Sequence, residues 1–96
     1  ADMLLGVPES PYVSDTDSAL VSAVFDKNKG RLVLKLRAFP SHPNATRIIS
    51  PLKPVSLSLN GKPLKSGWSA NHEDGIYMID LSFTHNSSED SVIVNF

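Results

Sequence analysis

The sequence predicts an all-β fold, a small antiparallel β-sandwich of six to eight short strands. Three observations carry this expectation. Apolar and polar residues alternate with period two in several segments. Turn-forming residues separate those segments at hairpin spacing. No segment repeats its apolar residues with the 3.6-residue period of a helix. Short strands in such a series pack as two sheets, with an OB-like or other small barrel as the alternative.

The clearest strand runs from Arg31 to Phe39. Leu32, Leu34, Leu36 and Ala38 fall on one face, and Lys35 and Arg37 on the other. Ala19 to Phe25 precedes it, and the polar loop from Asp26 to Gly30 joins the two as a hairpin. Pro40 to Thr46 reads as a loop, because Pro40 and Pro43 cannot donate to a ladder. A short strand from Arg47 to Ser50 ends before Pro51 and Pro54. Val55, Leu57 and Leu59 then alternate with Ser56 and Ser58. Asn60-Gly61 supplies the two positive φ values of a type I′ turn, and Pro63 marks the returning strand as an edge.

Gly67 to Gly75 reads as an irregular stretch. Tyr77, Ile79, Leu81 and Phe83 share one face of the next strand, which a polar loop from His85 to Asp90 separates from a last strand, Ser91 to Phe96. The expected core is therefore Leu32, Leu34, Leu36, Val55, Leu57, Leu59, Tyr77, Ile79 and Leu81. Residues 1–18, with Pro8 and Pro11, read as an extended lead-in or linker with an edge strand at Met3-Leu4-Leu5. Residues 19–96 form the single sandwich domain, since the whole chain of 96 residues suits one core only.

Composition narrows the function. No run approaches the ~18–20 apolar residues of a membrane span. Without cysteine there are no disulfides, thiol nucleophiles or thiolate metal sites. No Gly-rich phosphate loop and no G-x-S-x-G elbow is present, so neither a cofactor nor catalysis by the domain itself is expected. His42, His72 and His85 lack metal-ligand spacing and read as surface residues. The acidic pairs Asp15/Asp17, Glu73/Asp74 and Glu89/Asp90 read as solvated loop carboxylates rather than a calcium site.

Charge order is the least ordinary feature. All nine basic residues lie between Lys27 and Lys65, and all ten acidic residues lie outside that window. Lys35 and Arg37, outward on their strand, could attract an anionic glycan. Neutralisation by acids on neighbouring strands is the favoured alternative, with Asp80 or the terminal acids as partners. Nucleic acid is not expected, because the basic strands carry no interleaved aromatics. Trp68 and Tyr12 offer flat faces for a sugar ring. Asn44-Ala-Thr46 and Asn86-Ser-Ser88 have the form of N-glycosylation acceptors, both in expected loops.

Val55 to Leu64 with its Asn-Gly turn, then Trp68, then Asp74 to Leu81 resembles a phrase of immunoglobulin-like and fibronectin-like modules. The resemblance implies an immunoglobulin-like Greek-key sandwich, although the disulfide pair of antibody domains is absent. Such modules accompany secreted carbohydrate-active enzymes. The implied protein is a secreted or extracellular accessory domain that packs on a catalytic partner and touches polysaccharide. An extracellular or cell-surface protein-interaction module is the alternative.

Overall fold

The computed structural model describes residues 10–85 and 88–96. Its nine strands are β1 (Tyr12–Thr16), β2 (Ala19–Asp26), β3 (Arg31–Arg37), β4 (Pro43–Ser50), β5 (Ser56–Leu59), β6 (Lys62–Pro63), β7 (Trp68–Glu73), β8 (Ile76–Thr84) and β9 (Glu89–Asn95). They form two antiparallel sheets, ordered β1-β4-β8-β7 and β2-β3-β9-β5-β6. The β-sandwich expected from the alternation is thus the fold. β4 pairs with β8 in one sheet, and their successors β5 and β9 pair in the other. These interlocked pairs are those of a Greek-key sandwich. The strand flanking β9 is β3, supplied by the earlier β2–β3 hairpin.

The core follows the period-two pattern. Leu32, Leu34 and Leu36 of β3 and Val92 and Val94 of β9 face Ile48 of β4 and Ile79 and Leu81 of β8, with Leu57 beside them. Leu59 and Phe83 pack half-buried against this cluster. The β5–β6 hairpin turns as its residues require. Asn60 and Gly61 have φ of 52° and 84°, which closes β5 onto β6 in a two-residue loop. Pro63 lies on an edge strand, as its missing N–H demands.

Several expectations need correction. Among the described residues nine strands form, more than the six to eight expected, because the edge strands β1 and β7 carry little apolar alternation. The lead-in contains an edge strand, β1, which pairs with β4, while Met3-Leu4-Leu5 lies outside the described residues. β4 begins at Pro43, inside the expected loop, because a proline costs no ladder bond at the first position of a strand. The irregular stretch after Gly67 is β7, which turns into β8 through Asp74 (φ 51°) and Gly75 (φ 80°). Its mostly exposed residues carry no apolar alternation because β7 is an edge. β9 begins at Glu89, two residues earlier than expected.

Two core assignments also move. Val55 is 72% exposed, because the strand starts only at Ser56 and Pro54 takes the buried position. Tyr77 is half-buried near the start of β8 rather than central.

Candidate functional site

The same alternation that buries the leucines also buries polar residues at one end of the sandwich. On β4, Asn44 and Thr46 are in phase with Ile48, and all three point inward. His85 continues the inward row of Ile79, Leu81 and Phe83 past the end of β8. Asp90 precedes Val92 and Val94 on the inward row of β9. Ser18, in the short link between β1 and β2, is 8% exposed. Here His85 and Asp90 correct the expectation of a solvated loop. Both are buried, because strand phase rather than polarity decides which way a side chain points.

These residues form one hydrogen-bonded chain. His85 Nδ1 lies 2.7 Å from Asp90 Oδ2, and His85 Nε2 lies 2.9 Å from Ser18 Oγ. Asn44 Nδ2 donates to Ser18 Oγ at 2.6 Å, and Thr46 Oγ1 donates to Asn44 Oδ1 at 2.8 Å. Thr16 Oγ1 is 2.8 Å from Thr46 Oγ1 and accepts from the Ser18 backbone N–H at 3.2 Å. Asn60 Nδ2 donates to the other oxygen of Asp90 at 2.6 Å.

With Asp90 as a carboxylate and His85 as a neutral ring, the donor inventory sets the direction of the chain. Thr46 spends its one proton on Asn44, so Thr16 donates to Thr46. A carboxylate only accepts, so His85 carries its proton on Nδ1. In the neutral ring Nε2 is then an acceptor, and Ser18 donates to it. The resulting order is Asn44 to Ser18 to His85 to Asp90. A hydroxyl aimed at an imidazole that a carboxylate orients is the arrangement of an activated nucleophile.

Beside Ser18 opens a pocket of about 450 Å³, lined by Ala19, Arg37, Phe39, Pro40 and His42 among others. Its wall is apolar apart from a few polar groups, the usual make-up of a small-molecule pocket. Within the same end of the molecule, His42 Nδ1 is enclosed with no hydrogen-bond partner among the described residues.

The residues singled out from sequence do not meet. Trp68 is half-buried on β7, packs against the core and donates Nε1–H to the Leu64 carbonyl at 3.1 Å. Tyr12 is exposed on β1, at the opposite edge of the same sheet. Lys35 and Arg37 lie on the other sheet, on outward positions of β3. Arg37 forms an exposed ion pair with Glu89 of β9 at 3.2 Å, and Lys35 stands opposite Ser91. Asp80 instead pairs with Arg47, at 2.7 Å. That hydrogen bond, with the carboxylate charge second, raises the Arg47 pKa above its ordinary value.

Asn44 is not in a loop. It is buried on β4, and the amide nitrogen that a glycan would occupy is bonded to Ser18. Asn86 lies outside the described residues. His72 stacks on Tyr77 with ring centroids 4.3 Å apart, far from the His85 chain in the fold. Among the described residues no three His, Asp or Glu side chains gather as a metal site. No helix there is long and apolar enough to cross a membrane.

Sequence reading missed Ser18, His85 and Asp90 as a group. Part of the signal was present, since His85 and Asp90 continue the apolar phase of β8 and β9. Ser18 had no such signal, because its partners come from distant strands. Comparison with protein-family models, with curated proteins and with solved structures gives no match.

Proposed function

We propose that the chain is an accessory docking module of a secreted or extracellular protein, and that it binds a partner polypeptide along β2. The observation that supports this is the character of that edge. Proteins guard exposed sheet edges with charge, proline or irregularity, since open edges pair with other chains. β6 is two residues long and carries Lys62 and Pro63; β1 carries Asp15 and a bulge; β7 is mostly polar. β2 has a bulge after Leu20, yet no charge or proline from Ala19 to Phe25. Leu20, Val21 and Val24 are exposed, Val24 at 61%, and Phe39 stands exposed after β3.

An extended apolar strand suits this edge, with backbone hydrogen bonds giving affinity and alternate side chains giving specificity. A catalytic domain of a carbohydrate-active protein is the partner to which the immunoglobulin-like phrase points. Glycan contact has less support, because Trp68, Tyr12, Lys35 and Arg37 do not converge on one surface.

The test places a photo-cross-linking residue at Val24 in the full-length gene product, expressed in its native host. Mass spectrometry then maps the cross-link. The expected product joins position 24 to an extended segment of another domain or protein, and Val21→Lys abolishes it. Cross-links to a second copy alone, or none in a folded protein, overturn the proposal. Glycan-array binding that survives Val21→Lys would favour a carbohydrate ligand instead.

A further inference from the structure

We propose that Ser18 is an acyl-accepting nucleophile, served by His85 as general base and oriented by Asp90. This goes beyond the docking role and rests on Ser18, His85 and Asp90, which the docking role does not use. Ser18 Oγ lies 2.9 Å from His85 Nε2, within the reach that proton transfer needs. Asp90 holds the opposite ring nitrogen at 2.7 Å and so keeps the tautomer with a free Nε2 lone pair. Asp90 is itself held by Asn60 at 2.6 Å. Asn44 is a positioning residue. Its N–H occupies one lone pair of Ser18 Oγ, and the other is left for attack.

Ser18, at 8% exposed, is the most accessible of Ser18, Asn44, His85 and Asp90. His85 and Asp90 are closed off from solvent, but Ser18 lines the 450 Å³ pocket. Ala19, Phe39 and Pro40 give that pocket apolar walls, and Arg37, whose Nη2 pairs with Glu89, is among its lining residues with other N–H groups to donate. The substrate class that fits is an ester with a small apolar acyl group. Ser18 Oγ forms a bond to the carbonyl carbon and passes its proton to His85 Nε2. The ester C–O bond breaks, and the alcohol leaves with that proton. Arg37 is the donor for the carbonyl oxygen as it becomes negative. Water then attacks the acyl-serine and gives a proton to His85. That proton returns to Ser18 Oγ as the carboxylic acid departs.

The test uses a small alkyl fluorophosphonate on the intact chain. Ser18 Oγ bonds to phosphorus, fluoride leaves, and His85 takes the hydroxyl proton. Intact mass and peptide mapping should find one adduct, on Ser18. Ser18→Ala should give none. His85→Gln should slow labelling by about 10²–10⁴-fold, the usual contribution of a general base. Thermal midpoints establish that each variant is folded. Wild-type protein needs no variant to decide the matter. If it stays unlabelled at millimolar probe, or is labelled elsewhere, Ser18 is an inert part of the core and the proposal fails. Labelling of Ser18 that folded His85→Gln leaves unchanged also overturns it.

Discussion

Replacing Thr46 by Val removes one oxygen from the middle of the buried chain and keeps the branched shape that a strand favours. Two groups lose a partner. Thr16 is half-buried and can recover a bond to water. Asn44 Oδ1 cannot, since Asn44 is almost fully enclosed. A buried acceptor left without a donor costs about 1–3 kcal/mol. Taking ~2 kcal/mol, a domain of this size should lose about 8–16 °C of thermal midpoint, at ~4–8 °C per kcal/mol. The control is Thr84→Val, on the same sheet but exposed. Surface changes of this kind stay within about ±0.5 kcal/mol. Paired thermal scans or urea titrations decide the question. If Thr46→Val melts with Thr84→Val, the Thr46–Asn44 bond contributes nothing to stability, and the cost assigned to an unpaired Asn44 Oδ1 is refuted.

Two further outcomes are expected. Gly61 and Gly67 both have positive φ, but a Cβ on Gly61 meets nothing within 4 Å, whereas one on Gly67 would lie 2.8 Å from the Ser82 carbonyl oxygen. Gly61→Ala should therefore cost only the left-handed backbone strain, about 1–2 kcal/mol, and Gly67→Ala clearly more in the same denaturation assay. Leu34→Ala, at a fully buried site, should cost about 2–5 kcal/mol, whereas Val55→Ala should cost little because Val55 already faces water; equal losses in urea titrations would contradict the assigned start of β5.

The buried chain and the open edge lie close together in the fold. Ala19 begins β2 and also lines the pocket beside Ser18. A strand docked on β2 would therefore run past the pocket mouth. Phe39 stands exposed at the same place, so the apolar surface of the edge continues into the apolar wall of the pocket.

The sequence alone determined what depends on neighbours along the chain. Alternation placed Leu32, Leu34, Leu36, Ile79 and Leu81 inside, because successive side chains on a strand point to opposite faces. Asn60-Gly61 specified its turn, because two adjacent positive φ values suit few other residue pairs. Where a strand had one dominant inner face, its position was legible. The edge strands β1 and β7 were not, since mostly exposed residues carry no apolar alternation. The tertiary structure alone decided which polar residues became core. Ser18 and His85 are 67 positions apart, and nothing local to either predicts the other. Their meeting depends on β1 pairing with β4 and β4 with β8, and on β9 lying in the facing sheet. Burial then forces each polar atom in that space to find a partner, since an unpaired one is costly away from water. Charge followed the same rule. The basic block along the chain pointed to neutralising acids but not to the pairs: Arg37 meets Glu89, one of the terminal acids expected beside it, whereas Asp80 meets Arg47 instead of Lys35 or Arg37, because cross-strand register sets those pairs.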